Sequence, residues 1–185
     1  VLLLALLVLV CTACGAGGSA QTLDGTAAGA ATAPAPVPSS PIPSTGAQGA
    51  AGVQVLGVYR NYWAAQRKAL DTATATGSGL QTYATGQALS DSLADVVRLV
   101  RTGLVMQGAP TDSPVVTSVE LQSNPQTATL YDCLDVSGWH QVTAHDHRNA
   151  DPARRLTRYV LSVQAQTVGS TWMISAIDRR TDLSC

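Results

Sequence analysis

The sequence predicts an α+β domain in which two N-terminal helices pack on a curved antiparallel β-sheet, preceded by a signal peptide and a disordered linker. Three observations carry that reading. Apolar spacing is helical from Val53 to Val100 and turns to strict alternation after Gly108. Turn residues then punctuate the chain every ten or so positions, as in a meander of short strands. Charge is partitioned: Asp24 is the only charged side chain in residues 1–52, and all 11 Lys and Arg follow Gly52. The expected organisation is therefore a leader over 1–13, a linker over 14–52 and a folded body over 53–185.

The leader opens with VLLLALLVLV, ten apolar residues. A bilayer-spanning helix needs roughly 20, so the run has the length of a signal-peptide hydrophobic region. A polytopic transporter is excluded, because no second such run follows. Neither Met106 nor Met173 starts the chain and no basic segment precedes the run, which predicts an incomplete leader. Thr12, Ala13, Cys14 and Gly15 resemble a bacterial lipoprotein lipobox, with Cys11 where Leu is usual. That resemblance implies acylation of Cys14 and a membrane anchor, the alternative being ordinary secretion. Diacylglyceryl chains bury methylenes at about 0.8 kcal/mol each, and two or more chains make the anchoring stable.

From Gly15 to Gly52 the sequence is dominated by Ala, Gly, Ser, Thr and Pro, including APAPVPSSPIP. No apolar period survives, so this stretch is expected to be a flexible tether. Its Ser and Thr are open to glycosylation or stay unmodified. Cys11 leaves with the leader and Cys14 takes the lipid, so Cys133 and Cys185 remain as an even pair in an oxidising compartment. A disulfide between them is expected, against the alternative of two buried thiols.

The body begins with Val55, Tyr59, Tyr62, Trp63, Gln66 and Leu70 at helical spacing, which predicts a helix over 53–72 ended by Thr76, Gly77, Ser78 and Gly79. A second helix buries Leu89, Leu93, Val96, Val97 and Val100; its acids fall early, Arg98 and Arg101 late, and Gly103 closes it. Strands are expected next: 115–121, with Val115, Thr117, Val119 and Leu121 on one face, and then 127–135. In 127–135, Tyr131 and Cys133 oppose Leu130, Asp132 and Leu134. Residues 139–143 are expected to extend that strand past the Ser137-Gly138 break, and 155–165 and 171–179 complete the sheet, joined by a hairpin at Val168, Gly169 and Ser170.

Several residues of this body are shared with a known group. The Tyr59 and Trp63 helix, the Tyr83-Ala84-Thr85-Gly86 segment, Cys133 before Asp135, Gly169 before Trp172 and Cys185 resemble the nuclear transport factor 2-like (cystatin-like) domains of exported actinobacterial lipoproteins. The resemblance implies a cystatin-like roll, a fold that hosts isomerases, dehydratases and non-catalytic binding modules. A catalytic member would aim an acid or base into the cavity between helices and sheet. Tyr131, Asp132, Asp135, Tyr159 and His140 are the candidates here, and no two have diagnostic spacing.

For three of them the structural reading is the stronger: Asp135 bonding a Ser137-Gly138 turn, Tyr131 and Tyr159 as core residues. His145 and His147 would share one side of an extended segment, but AHDHRNADP is polar and turn-like with no third ligand, so no metal is expected. Arg154, Arg155, Arg179 and Arg180 have Asp151, Asp178 and Asp182 beside them, which favours surface ion pairs over a basic patch. A net charge of -1 argues against nucleic acid as partner.

The expectation is a protein held by its lipid on the outer face of the cytoplasmic membrane. Its extracytoplasmic domain binds a protein partner or a small apolar ligand without catalysis or cofactor. A ketosteroid-isomerase or dehydratase-type enzyme and a structural cell-envelope spacer are the alternatives.

Overall fold

The computed structural model describes residues 34–38 and 41–185. Cys14, the leader over 1–13 and most of the stretch read as linker lie outside the described residues. The elements run β1 (Ala35–Pro36), α1 (Gly46–Asp71), α2 (Leu80–Tyr83), α3 (Gly86–Thr102), β2 (Leu104–Gly108), β3 (Pro114–Glu120), β4 (Thr127–Asp135), β5 (Trp139–Thr143), β6 (Arg158–Val168), β7 (Thr171–Arg180) and β8 (Leu183–Ser184). A mixed α+β chain with an antiparallel sheet is thus what the sequence folds into. No helix among the described residues is long and apolar enough to cross a membrane.

The main sheet has the order β3-β4-β6-β7, all antiparallel, while β2 and β5 form a separate two-stranded ribbon. The β4 strand has the expected bounds, and Ala128, Leu130, Asp132 and Leu134 face inward in strict alternation. In β3 the expected faces are wrong: a bulge between Val116 and Ser118 lets Val116 and Val119, three apart, both enter the core. The β2 strand is not among the expected ones, because its run Leu104-Val105-Met106 is continuously apolar with no alternation; it pairs with β5 from Leu104↔Thr143 to Gly108↔Trp139.

Helix α1 buries Val55, Tyr59, Tyr62, Gln66 and Leu70, the stripe its spacing specifies. Helix α3 differs. Its buried residues are Ala88, Ser92, Val96 and Leu99, whereas Val97 and Val100 are exposed at 54% and 60%. The small side chains of Ala88 and Ser92 let α3 approach α1, where Tyr62 Oη bonds Ser92 Oγ at 3.0 Å. That hydrogen bond lies on the face that α3 turns inward. Gly103, at φ +65°, ends the helix by donating its N–H to the carbonyls of Leu99 and Val100.

The folded part starts earlier than composition suggests, since α1 begins at Gly46 rather than Val53 and the residues before it dock on the body. Ala35 and Pro36 pair in parallel with Leu183 and Ser184. Ile42 donates its N–H to Val116 O at 3.1 Å, and its side chain fills the notch that Gly52 leaves in α1. A Gly/Ala-rich helix start is readable as linker because its burial comes from this strap and not from its own apolar period.

The strap gives a paired prediction. A Cβ on Gly49 would lie 2.6 Å from the Ser44 backbone, whereas one on Gly57 would meet nothing within 4 Å. Both positions gain about 1 kcal/mol of helix propensity as Ala, but at Gly49 overpacking against backbone costs about 1–3 kcal/mol. Gly57→Ala should raise the denaturation midpoint and Gly49→Ala lower it. A rise at both positions would show that the strap is not held.

Candidate functional site

A cavity of about 390 Å³ opens between α1, α3 and the inner face of the sheet. Helix α1 contributes Tyr62 and Trp63, β5 contributes Trp139 and β6 contributes Tyr159, so one wall is aromatic. Trp63 and Trp139 meet edge to face, ring centres 6.0 Å apart at 85°. Met106, Leu161 and Ile177 supply apolar floor, and Asp91, Asp95, Arg98, Arg155 and Arg179 supply the polar rim. The volume falls in the range of about 300–1,000 Å³ typical of small-molecule sites.

Three buried polar atoms of lining residues have no hydrogen-bond partner: Trp63 Nε1, Gln66 Oε1 and Trp139 Nε1. Burial, with the Asp132 carboxyl beside it, holds the Tyr59 pKa well above the usual phenol value, and Trp63 Nε1 makes no hydrogen bond to that hydroxyl. Each orphaned group costs about 1–3 kcal/mol relative to a satisfied one. The wall is therefore apolar in bulk and polar at a few underused points.

Most rim charge is already neutralised. Arg98 pairs with Asp95 at 3.1 Å, one turn apart on α3. Arg155 pairs with Asp151 at 3.4 Å and donates to the carbonyls of Val136, Trp139 and Ser137. Its guanidinium thus pins the β4–β5 turn. Arg179 instead lies over the Tyr159 ring, 5.0 Å from its centre. Burial raises the Tyr159 pKa, with Arg179 opposing. Ser92 spends its proton on the Ala88 carbonyl, so the Tyr62 hydroxyl donates to Ser92, and burial pushes the Tyr62 pKa up to about 12.

Of the five candidate acid or base residues, Tyr159 alone lines this cavity. Asp132 is fully buried beneath α1. Its Oδ2 accepts from Tyr59 Oη at 2.6 Å and its Oδ1 from the Ser113 N–H at 2.6 Å. Burial raises its pKa, and these two donors work against the rise. Asp135 accepts the Ser137 N–H at 2.8 Å, the expected turn bond, and its hydrogen bonds to Ser137 hold its pKa down. Tyr131 is on the outer face, where Arg180 Nη1 approaches its hydroxyl at 3.4 Å.

His140 holds Asp151 through Nδ1 at 2.7 Å, beside the cavity rather than in it. Burial works upward on Asp151, but His140, the Gln141 N–H and Arg155 outweigh it and its pKa is lowered. His145 stands in the turn after β5, with His147 at its end at φ +52°. No group of three or more His, Cys, Asp or Glu among the described residues is placed to hold a metal ion.

The Cys133 and Cys185 sulfurs lie at disulfide distance, 2.08 Å, with Cα atoms 5.7 Å apart. Sequence reasoning missed Gln66, Asp91, Met106 and Trp139 as cavity residues. Asp91, Asp95 and Arg98 do recur at i, i+4 and i+7, a signal that one face of α3 is polar and fronts something other than core.

No family model matches the chain, and no curated protein matches it. Among solved structures it is similar to the intermembrane space region of chloroplast protein ARC6, at 16% identity and a TM-score of 0.44. That match covers 69% of this chain and 95% of the other.

Proposed function

We propose that this chain is an exported lipoprotein, anchored through Cys14 on the outer face of the cytoplasmic membrane, whose nuclear transport factor 2-like roll holds a small, largely apolar ligand. The observation that carries the ligand reading is the aromatic-walled cavity between helices and sheet. Ala88 and Ser92, small residues on α3, line that space beside Tyr62 and Trp63 of α1.

A non-catalytic role is favoured over an isomerase or dehydratase by where the carboxylates fall. The one buried carboxylate among the described residues, Asp132, is walled off by Tyr59 and has both oxygens engaged. Those in the cavity, Asp91 and Asp95, are at the rim, and Asp95 is held by Arg98. A pure spacer would have no use for the opening or for unpartnered polar atoms in the residues around it.

One experiment tests anchor and ligand together. The protein is extracted from membranes of the producing cells, and both the intact chain and its solvent extract are read by mass spectrometry. The expected result is a mature chain starting at acylated Cys14 with a small molecule co-purifying. Adding that molecule back at 100 times its dissociation constant should stabilise the domain by about 2.7 kcal/mol. A chain recovered unacylated from the soluble fraction would overturn the anchor, and an extract without any stabilising molecule would overturn the ligand.

A further inference from the structure

We propose that the ligand is a monoanion: a planar or ring-bearing apolar body in the cavity, with one carboxylate, sulfonate or similar group seated on Arg179. This rests on the cavity being a ligand site. Three guanidinium groups reach the rim, and the structure distinguishes them. Arg98 is matched by Asp95, and Arg155 by Asp151 and three carbonyls. Arg179 makes no ion pair and no side-chain hydrogen bond among the described residues; its guanidinium carbon lies 5.0 Å from the centre of the Tyr159 ring, within cation–π reach.

Strand alternation sends its neighbours Asp178 and Arg180 to the other face of β7, where Arg180 pairs with Asp182 at 2.5 Å. The register Leu161↔Arg179 sets the cation directly across from an apolar floor residue. A guanidinium held by a ring and not by hydrogen bonds keeps its planar fork of N–H donors available, which suits an anionic group of two or more oxygens. Asp91, without an ion-pair partner among the described residues, shares the rim and disfavours a second negative charge. The aromatic wall of Trp63 and Trp139 fits a ring better than a branched chain.

Two dyes with one ring system test this in the full chain: 1-anilinonaphthalene-8-sulfonate, and uncharged N-phenyl-1-naphthylamine. Each is titrated by fluorescence at pH 7. Arg179→Gln, at an exposed position, should weaken the sulfonate dye about tenfold and leave the neutral dye within twofold. Added salt should weaken only the sulfonate dye.

Arg158→Gln should change neither, because Arg158 lines a second concavity near the disulfide that shares Tyr159 and Arg179 with this one but none of its Trp63, Trp139 or Met106 wall. An equal loss on Arg158→Gln, or no loss on Arg179→Gln, overturns the anion seat. Met106→Trp fills the cavity and should abolish both dyes, with circular dichroism confirming the fold. Ala88→Met replaces it if that variant unfolds. Binding of neither dye to the natural chain, or binding of both that survives cavity filling, overturns the cavity reading itself.

Discussion

Asp132→Ala should destabilise the domain by about 3 kcal/mol, read as a lower denaturant midpoint at unchanged slope. The side chain is fully buried and satisfies two donors from different parts of the fold, the Tyr59 hydroxyl on α1 and the Ser113 N–H before β3. Removing it orphans both donors, at about 1–3 kcal/mol each, while the methyl that remains fills little of the space. Tyr59→Phe removes one hydrogen bond to the carboxyl and should cost about 1.5–3 kcal/mol.

The same carboxyl makes stability depend on pH in a defined direction. Burial raises its folded pKa above the unfolded value, so the native state holds the proton more tightly. Its contribution is therefore complete below the unfolded pKa and is lost as pH rises through the folded pKa. Asp132→Asn cannot titrate. The stability of the natural chain minus that of Asp132→Asn should be largest in acid and shrink toward neutrality. A difference that is flat, or that grows with pH, would show that the carboxyl is not desolvated.

Opening the Cys133–Cys185 link is the second large effect. The sulfurs close a loop of 52 residues, for which the chain-entropy relation gives about 4 kcal/mol at 25 °C. Cys133→Ser with Cys185→Ser, or reduction of the natural chain, should lower the melting temperature by roughly 10–20 °C. Thiol labelling without reductant should find neither cysteine reactive; two labelled thiols and an unchanged melting curve would remove the link. The loss should extend beyond β8, because β8 is what β1 pairs with.

Local chemistry and arithmetic were legible before folding. The change from helices to strands, the bounds of β4 and β5, the stripe Val55-Tyr59-Tyr62-Gln66-Leu70, the Gly103 helix end and the Cys133–Cys185 pairing all follow from periods, turn residues and cysteine parity. Each is a property of neighbours in sequence or of a count.

What only tertiary structure decided is which of several apolar or polar surfaces is used. Helix α3 exposes Val97 and Val100 because it turns the face of Ala88, Ser92, Val96 and Leu99 inward, with Ser92 meeting Tyr62. The bulge in β3 brings Val116 and Val119 to one side. A Gly/Ala stretch becomes the start of α1 only because Ile42 covers it. The cavity belongs to the same class: its walls come from α1, α3 and four strands. An empty space has no period in the sequence, since it is set by where packed elements fail to meet.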